Sequence, residues 1–247
     1  MLNFIYGSSD RIFLNTSIGC NAGCSYCYLP RLGISGSDAR ITAEHLLETL
    51  RKVTYLKKGR KGSILSLGCY SECLDNQNIS ETFRLLAGLM PLGNRIQLAT
   101  KQRLSVDLAQ YIAENRLYKQ QVTLYVSMPT ISGISELEPG TVSYEDRVFN
   151  IELCEQYDIP CVLYIKPFLP NITAKDLPKY MALVQKYQLP VVVGNYLCDG
   201  DEENVADVGE GLLYDCGASD EKENFISELK KYATVFEHST EAMVGVV

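Results

Sequence analysis

The chain has 247 residues, of which 46% are hydrophobic and 21% charged, a composition typical of one globular domain with a sizeable core. Its 23 Lys and Arg residues against 30 Asp and Glu residues give a net charge of −7, which excludes a strong overall positive field for holding a nucleic-acid backbone. No apolar run approaches the roughly 18 residues of a membrane span, and the N-terminal residues do not resemble a signal peptide. We therefore expect a cytoplasmic protein that does not contact the membrane.

From residue 10 to residue 193, short apolar runs alternate with stretches of helical period, which predicts βαβ units and a parallel sheet. Six strands are predicted, namely Arg11–Ser17, Ser63–Gly68, Arg95–Thr100, Val122–Ser127, Cys161–Lys166 and Val191–Asn195. Five crossover helices are predicted between them, several with Ser or Thr at the start, namely Thr42–Tyr55, Ser80–Met90, Ser105–Asn115, Ser143–Tyr157 and Ala174–Tyr187. The fold class is therefore α/β, an open or partial (β/α)6 TIM-type barrel with its functional site at the C-terminal ends of the strands.

After Asn195 the pattern changes to an acidic loop that contains glycine, followed by a last helical segment from about Ser219 to Phe236. No repeat, low-complexity tract or linker indicates a second domain. We therefore assign residues 1–195 to the barrel core, and residues 196–247 to a short C-terminal extension whose loop and helix pack on the same domain.

Nine cysteines are present, and three of them, Cys20, Cys24 and Cys27, follow the first predicted strand with C-x3-C-x2-C spacing. We call these three residues the cysteine triplet. They lie too close together in sequence for a conventional set of structural disulfides. Three thiolates on one loop can bind three irons of a [4Fe-4S] cluster and leave the fourth iron open, and an open coordination position distinguishes a reactive metal centre from a closed structural one.

The triplet, with Tyr26 just before its last cysteine, resembles the signature of the radical S-adenosylmethionine (radical SAM) superfamily. The resemblance implies that the triplet holds a [4Fe-4S] cluster whose open iron binds S-adenosylmethionine. It also implies that an electron, from a donor such as flavodoxin or ferredoxin, cleaves the cofactor to a 5′-deoxyadenosyl radical. The alternative is a non-catalytic Fe-S or zinc protein, but zinc requires a fourth ligand, and His45 and His238 lie far away in sequence.

Within the superfamily, residues 11–175 resemble spore photoproduct lyase and its relatives among DNA-repair photolyases. The segment Cys69-Tyr70-Ser71-Glu72 resembles the lyase's Cys-Thr-Ser-Asp, and Tyr28 matches a tyrosine of that enzyme. The resemblance implies that Cys69 donates a hydrogen atom to a substrate radical, that Tyr28 relays the atom, and that Ser71 contacts the cofactor. The alternative for Cys69 is a small buried hydrophobic residue.

Further segments at the predicted barrel mouth resemble the same group. Thr100-Lys101 resembles a Thr-Lys pair whose lysine holds the cofactor carboxylate. The segments 138–141 and 166–171, together with Arg147, resemble features that order the mouth around the adenosine, although their Pro and Gly residues also suit ordinary turns. The expected cofactor-binding residues are Tyr26, Ser71, Glu72, Lys101, Ser127 and Lys166.

The chain also departs from this group. Where the photolyase relatives have Asp-Pro-Tyr-Gln-Pro, residues 72–76 read Glu-Cys-Leu-Asp-Asn, so we expect a different substrate-facing wall. The chain has little sequence before the triplet and none of the basic C-terminal region with which the lyase holds DNA, and with the net charge this weakens DNA as a substrate. Two substrate classes stay open, a nucleotide or DNA lesion, and a peptide or small metabolite.

The remaining cysteines receive structural assignments. Cys154 and Cys161 have apolar neighbours and are predicted to pack in the core. Cys198 and Cys216 flank the acidic loop. These two cysteines are open to three interpretations: ligands together with Cys73, a redox pair, or unpaired thiols, the last of which we favour.

The one basic run is Lys57-Lys58-Gly59-Arg60-Lys61. Its position between the first helix and the second strand places it at the N-terminal face of the barrel, opposite the reactive mouth. We therefore predict a solvated turn there and do not assign it to nucleic-acid binding.

Overall fold

The computed structural model describes residues 4–34, 36, 39–198, 206–209, 213–215 and 219–245. The strands are β1 Ile5–Gly7, β2 Arg11–Leu14, β3 Ser17–Ile18, β4 Ala39–Arg40, β5 Ile64–Leu67, β6 Ile96–Thr100, β7 Val122–Ser127, β8 Cys161–Ile165, β9 Val191–Val193, β10 Leu197–Cys198, β11 Ala206–Gly209, β12 Leu213–Asp215 and β13 Val235–Phe236. The α-helices are α1 Ala43–Arg51, α2 Ile79–Leu89, α3 Val106–Asn115, α4 Ile134–Leu137, α5 Tyr144–Gln156, α6 Leu177–Tyr187, α7 Asp220–Leu229 and α8 Ser239–Gly245. Single 3-10 turns cover Leu29–Leu32, Met90–Leu92 and Thr173–Asp176.

The main sheet has eight strands in the order β1-β2-β5-β6-β7-β8-β9-β13. All neighbouring strands are parallel except β1, which pairs antiparallel with β2. The predicted α/β class and the six predicted strands are confirmed. The count of parallel strands was wrong, because β13 adds a seventh at the edge beside β9. The predicted last helix ends at Leu229 instead of Phe236, since its final residues form β13, which at two residues is too short to show an alternating pattern.

Most helices begin where the sequence predicted, because a Ser or Thr side chain accepts a hydrogen bond from the first turn. Such caps are formed by Thr42 on α1, Ser105 on α3, Ser143 on α5 and Ser219 on α7. Helix α6 begins three residues later than predicted, after the 3-10 turn, and Pro178 stands in its first turn, where no backbone N–H is needed. No helix in the described parts of the chain is long and apolar enough to cross a bilayer.

The two faces of the sheet have different surroundings. Strand residues on the outer face join the helices in one large apolar core, to which Leu65, Leu98 and Val126 belong. On the inner face, Tyr125 and its apolar neighbours pack against Ala242 and Met243 of α8, and the Tyr125 hydroxyl donates to the carbonyl of Ser239 at 2.6 Å. Helix α8 therefore packs against the inner face of the sheet. The candidate site lies at the C-terminal ends of the strands.

Candidate functional site

The loop that carries the cysteine triplet, residues 19–28, is fixed by backbone contacts with the segment after α4. The N–H of Ser25 donates to the carbonyl of Leu137 at 2.9 Å, and the N–H of Gly140 donates to the carbonyl of Ala22 at 2.8 Å. A Cβ atom at residue 140 would lie 2.7 Å from the backbone of Ala22, so only glycine allows this approach. This close backbone packing holds the loop at the C-terminal edge of the sheet.

The three thiols of the triplet are half-buried and form no disulfide. Burial raises the pKa of Cys20, and it raises the pKa of Cys24 to about 12 although the nearby ammonium of Lys101 opposes the shift. Within the described residues, no three His, Cys, Asp or Glu side chains are arranged to bind a single metal ion. Three free thiols on one loop can each bind a different iron, so the donor set suits a [4Fe-4S] cluster.

The carboxylate of Glu72 is buried and hydrogen-bonded on both oxygens. It accepts from the Thr100 hydroxyl at 2.5 Å and from the backbone N–H of Lys101 at 2.9 Å. Burial raises the pKa of Glu72, and these hydrogen bonds oppose the shift. Glu72 thus holds the turn at the end of β6, and its predicted contact with the cofactor stays a prediction.

The side chain of Lys101 lies beside the triplet. Its ammonium is 5.7 Å from the centre of the Tyr26 ring, and it is close enough to Cys24 and Cys27 to influence their charge. Burial lowers the pKa of Lys101. No carboxylate among the described residues forms an ion pair with this ammonium, although the charge of the nearby Glu72 carboxylate acts on it.

A buried ion pair lies beneath the triplet loop. Glu138 and Arg147 pair with their side chains fully buried, and the hydroxyl of Tyr26 donates to the same carboxylate. Arg147 also donates to the carbonyl of Ser127 at 2.9 Å and to the Thr141 hydroxyl at 2.6 Å, while its Nε has no partner. Burial raises the pKa of Glu138, and Arg147 opposes the shift. Two predicted site residues thus bond to this ion pair, Tyr26 to Glu138 and the Ser127 carbonyl to Arg147.

Cys69 and Tyr28 are brought into contact at the same edge. The Tyr28 hydroxyl donates to the carbonyl of Cys69 at 2.6 Å, and its oxygen lies 3.6 Å from the Cys69 sulfur. Burial raises the pKa of Tyr28, so the phenol stays protonated at neutral pH. Tyr6 on β1 also borders Cys69 and stacks on Tyr70 with the ring centres 4.6 Å apart. The sequence analysis missed Tyr6, although the Gly-Ser-Ser-Asp turn after it could have indicated a hairpin.

Two other predicted cofactor residues lie at the C-terminal edge. Ser71 is buried in the segment after β5. Lys166 follows β8 and is exposed, and its aliphatic stem covers Gly194, where a Cβ atom would lie 2.6 Å from the lysine Cδ. Their contact with a cofactor stays a prediction.

The cysteines outside the triplet have mostly structural positions. Cys73 is buried and its thiol donates to the carbonyl of Ala99 at 3.3 Å. Cys154 is buried in the outer core and Cys161 packs against that core, as predicted. Cys198 lies in β10, but its side chain is outside the described part of the chain, as is Cys216, so their role as unpaired thiols stays a prediction.

The family model described as the radical SAM superfamily matches residues 14–184, more than half of the chain. The chain belongs to the radical SAM superfamily, whose members are enzymes that use a [4Fe-4S] cluster and S-adenosylmethionine. The resemblance stated from the triplet is confirmed. A search of curated proteins finds no match by sequence.

Several solved structures have a similar fold. A cysteine-to-serine variant of spore photoproduct lyase matches with a TM-score of 0.65 and 14% identity, over 90% of this chain and 74% of that one. SuiB from Streptococcus suis, bound to S-adenosylmethionine, matches with a TM-score of 0.63 and 13% identity, over 94% of this chain and 51% of SuiB. The structure of anSMEcpe with bound AdoMet and Cp18Cys peptide matches with a TM-score of 0.57 and 14% identity, over 90% of this chain and 62% of that one. These likenesses establish the partial TIM-barrel fold.

Proposed function

We propose that the protein is a lyase-like radical SAM enzyme in which Cys69 and Tyr28 transfer a hydrogen atom to a substrate radical. The observation that carries this proposal is the distance of 3.6 Å between the Cys69 sulfur and the Tyr28 oxygen, at the same edge as the triplet. A thiol suits the donor role because its S–H bond is weak and its sulfur is polarisable.

The cysteine triplet is proposed to hold the cluster. Lys101 is the proposed partner of the cofactor's carboxylate, since its ammonium lies beside the triplet and forms no ion pair among the described residues. When bound, the cluster and S-adenosylmethionine supply a 5′-deoxyadenosyl radical that abstracts a hydrogen atom. Glu72 and the Glu138–Arg147 pair act as positioning residues, because they bond to the turn of Lys101 and to Tyr26. Ser71, Ser127 and Lys166 are proposed to complete the cofactor site.

The hydrogen transfer uses the S–H bond of Cys69 and the O–H bond of Tyr28, and one electron from the proposed electron donor together with one solvent proton restores the Tyr28 phenol afterwards. The S–H bond of Cys69 breaks as a C–H bond forms on the substrate, and the unpaired electron moves to sulfur. The O–H bond of Tyr28 then breaks as the S–H bond re-forms, and the unpaired electron moves to the phenol oxygen. Burial of Tyr28 keeps its phenol neutral, so a hydrogen atom is present to be transferred.

The proposed substrate is a nucleotide or DNA lesion, and the support is the sequence resemblance to spore photoproduct lyase together with the shared fold. The structures of SuiB with its precursor peptide SuiA and of anSMEcpe with a peptide show that the same fold serves peptide substrates elsewhere. The two classes are separated by which compound stimulates 5′-deoxyadenosine formation. Stimulation by a dinucleoside spore photoproduct or by single-stranded DNA supports the proposal, and stimulation by peptides alone contradicts it. Flavodoxin or ferredoxin is the proposed electron donor.

The hydrogen-transfer step is tested by running the reaction in D2O with whichever compound stimulates turnover. Thiol and phenol hydrogens exchange with solvent, so the wild type should place one deuterium in the product. The Cys69→Ala protein should lose this deuterium, and Tyr28→Phe should lower its amount per turnover. Cys161→Ala, which removes a half-buried thiol outside the site, should behave as the wild type. Undiminished deuterium in the Cys69→Ala product would overturn the proposed donor.

A further inference from the structure

A basic pocket of about 260 Å³ lies at the N-terminal ends of the strands, opposite the triplet. Four cationic side chains line it, Arg11, Lys57, Lys61 and Arg95, and Thr240 of α8 closes one side. Arg11 is the first residue of β2, and Arg95 directly precedes β6. Two lysines of the basic run, which are exposed as expected for a solvated turn, thus line the same pocket as two half-buried arginines.

The four cations have no ion-pair partner in the part of the chain that the structure describes. None of them forms an ion pair within the described residues, and the Nε atom of Arg95 is buried without a hydrogen bond. Several cations elsewhere are paired, as Lys119 is with Asp158 at 2.6 Å. One carboxylate, that of Asp10, lines the pocket. In a chain of net charge −7, four converging cations repel one another with little compensation, and an anion would relieve that repulsion.

The loop that presents the lysines is held rigidly by buried polar groups. The amide of Asn94 donates to the carbonyl of Lys57 at 2.7 Å and to the carbonyl of Ser63 at 2.8 Å. The Ser63 hydroxyl donates to the carbonyl of Ser9 at 2.7 Å and accepts from the N–H of Lys57. Both Asn94 and Ser63 are fully buried. A ligand would therefore meet a loop that is already ordered, which lowers the entropy lost on binding.

Arg11 is also oriented before any ligand binds. Its Nε donates to the Ser66 hydroxyl at 2.8 Å, and one terminal nitrogen donates to the amide oxygen of Gln97 at 2.6 Å. These bonds on the inner face of the sheet fix the plane of the guanidinium. Planar guanidinium groups with a fixed orientation match the oxygens of phosphate better than they match monatomic anions.

We propose that this pocket binds the phosphate group of a small anionic metabolite, at a site separate from the catalytic mouth. Sites for drug-sized ligands enclose about 300–1,000 Å³, so the volume of this pocket suits one or two phosphate groups rather than a whole nucleotide. The two arginines and two lysines supply the charge, and Thr240 and Ser9 supply hydroxyl groups beside them.

The proposal is tested by calorimetric titration of the full-length, reconstituted protein with pyrophosphate and, separately, with inorganic phosphate. We expect one site per chain and a marked loss of affinity as NaCl is raised, because the contacts are electrostatic. The Lys57→Ala/Lys61→Ala protein should bind at least about tenfold more weakly, since two charged contacts are lost. Lys58→Ala, a change in the same run but outside the pocket lining, should bind within about twofold of the wild type.

A second measurement uses the unaltered protein, so it does not depend on the variants folding. Pyrophosphate should slow acetylation of Lys57 and Lys61 by a water-soluble acylating reagent, and leave that of Lys58 unchanged, as read by mass spectrometry. Absence of pyrophosphate and phosphate binding, or binding that the double variant does not weaken, would overturn the proposal. Binding of a short single-stranded DNA without binding of either small anion would also overturn it, in favour of a nucleic-acid surface.

Discussion

The two ends of the barrel differ in whether their charged side chains have partners within the chain. At the C-terminal end, the buried carboxylates of Glu72, Glu138 and Asp176 are each satisfied by donors from their own chain. At the N-terminal end, the four cations of the basic pocket have no acidic partner among the described residues. Buried charges that are fully paired hold a structure in place, whereas unpaired cations that line an open pocket leave capacity for a ligand. Lys101 is the exception at the C-terminal end, and there too we assign a ligand.

The largest expected effect is on the free energy of unfolding and follows from breaking the buried Glu138–Arg147 ion pair at the C-terminal end. Arg147→Met leaves the buried Glu138 carboxylate without its cation and should lower the free energy of unfolding by about 3–5 kcal/mol. Chemical denaturation measures this. The matched control is Arg103→Met, because Arg103 pairs with Asp146 at the surface with more than half of its side chain exposed, and this change should cost less than about 1 kcal/mol. Equal losses in the two variants would contradict the difference between buried and exposed pairs.

The next effect concerns Lys101, the cation beside the triplet that forms no ion pair among the described residues. Lys101→Met should weaken binding of S-adenosylmethionine to the reconstituted protein by about tenfold or more, because a charge-assisted contact with its carboxylate is lost. Calorimetry of the cofactor with the cluster-loaded protein measures this. Lys175→Met, at an exposed lysine after β8, should leave the affinity unchanged. If Lys101→Met binds the cofactor as the wild type does, the proposed role of Lys101 is wrong.

A smaller effect concerns Asp176 and has a defined dependence on pH. Its carboxylate accepts from the N–H groups of Ile131 at 2.7 Å and Ser132 at 2.9 Å. Burial alone would raise the pKa of Asp176, but the hydrogen bonds from Ser132, Ile131 and Thr130 prevail and lower it. A carboxyl whose pKa is lowered by folding contributes stability above its unfolded pKa of about 3.9 and loses it as the pH falls through the folded value.

Asp176→Asn should therefore cost about 1–2 kcal/mol at neutral pH, and the cost should shrink below about pH 4. Urea denaturation of the two proteins at a series of pH values measures this difference. A difference that stays constant down to the lowest pH at which both proteins fold would show that the charge of Asp176 does not contribute.

The smallest effect is expected in the basic pocket at the N-terminal end of the barrel. Lys61→Met removes one of four cations that repel one another, so without phosphate the unfolding midpoint should stay the same or rise. With pyrophosphate present, the wild type should gain more stability than the variant, because a ligand stabilises the state that it binds. A clear loss of stability of the Lys61→Met protein in phosphate-free buffer would indicate that Lys61 has an internal partner. The proposed difference in charge pairing between the two ends would then be wrong.

Much of the fold could be predicted from sequence because its signals are local. Strand and helix periods, Ser and Thr caps and the C-x3-C-x2-C spacing each depend on a few neighbouring residues, and the fold class, the six strands and the superfamily predicted from them are confirmed. Strand β13 could not be predicted, since two residues carry no period and their pairing with β9 is set by tertiary contacts. The hydrogen bonds that occupy Glu72 and Tyr26 join residues up to 112 positions apart, so sequence could name these residues but not their partners.

The central claim is that the cysteine triplet makes this chain a radical SAM enzyme. The most direct measurement is anaerobic reconstitution with iron and sulfide, followed by addition of dithionite and S-adenosylmethionine and an assay for 5′-deoxyadenosine, with Cys24→Ala and Cys161→Ala measured in parallel. We predict that the wild type and Cys161→Ala form 5′-deoxyadenosine and that Cys24→Ala forms none. Equal 5′-deoxyadenosine formation by the Cys24→Ala protein would contradict the claim.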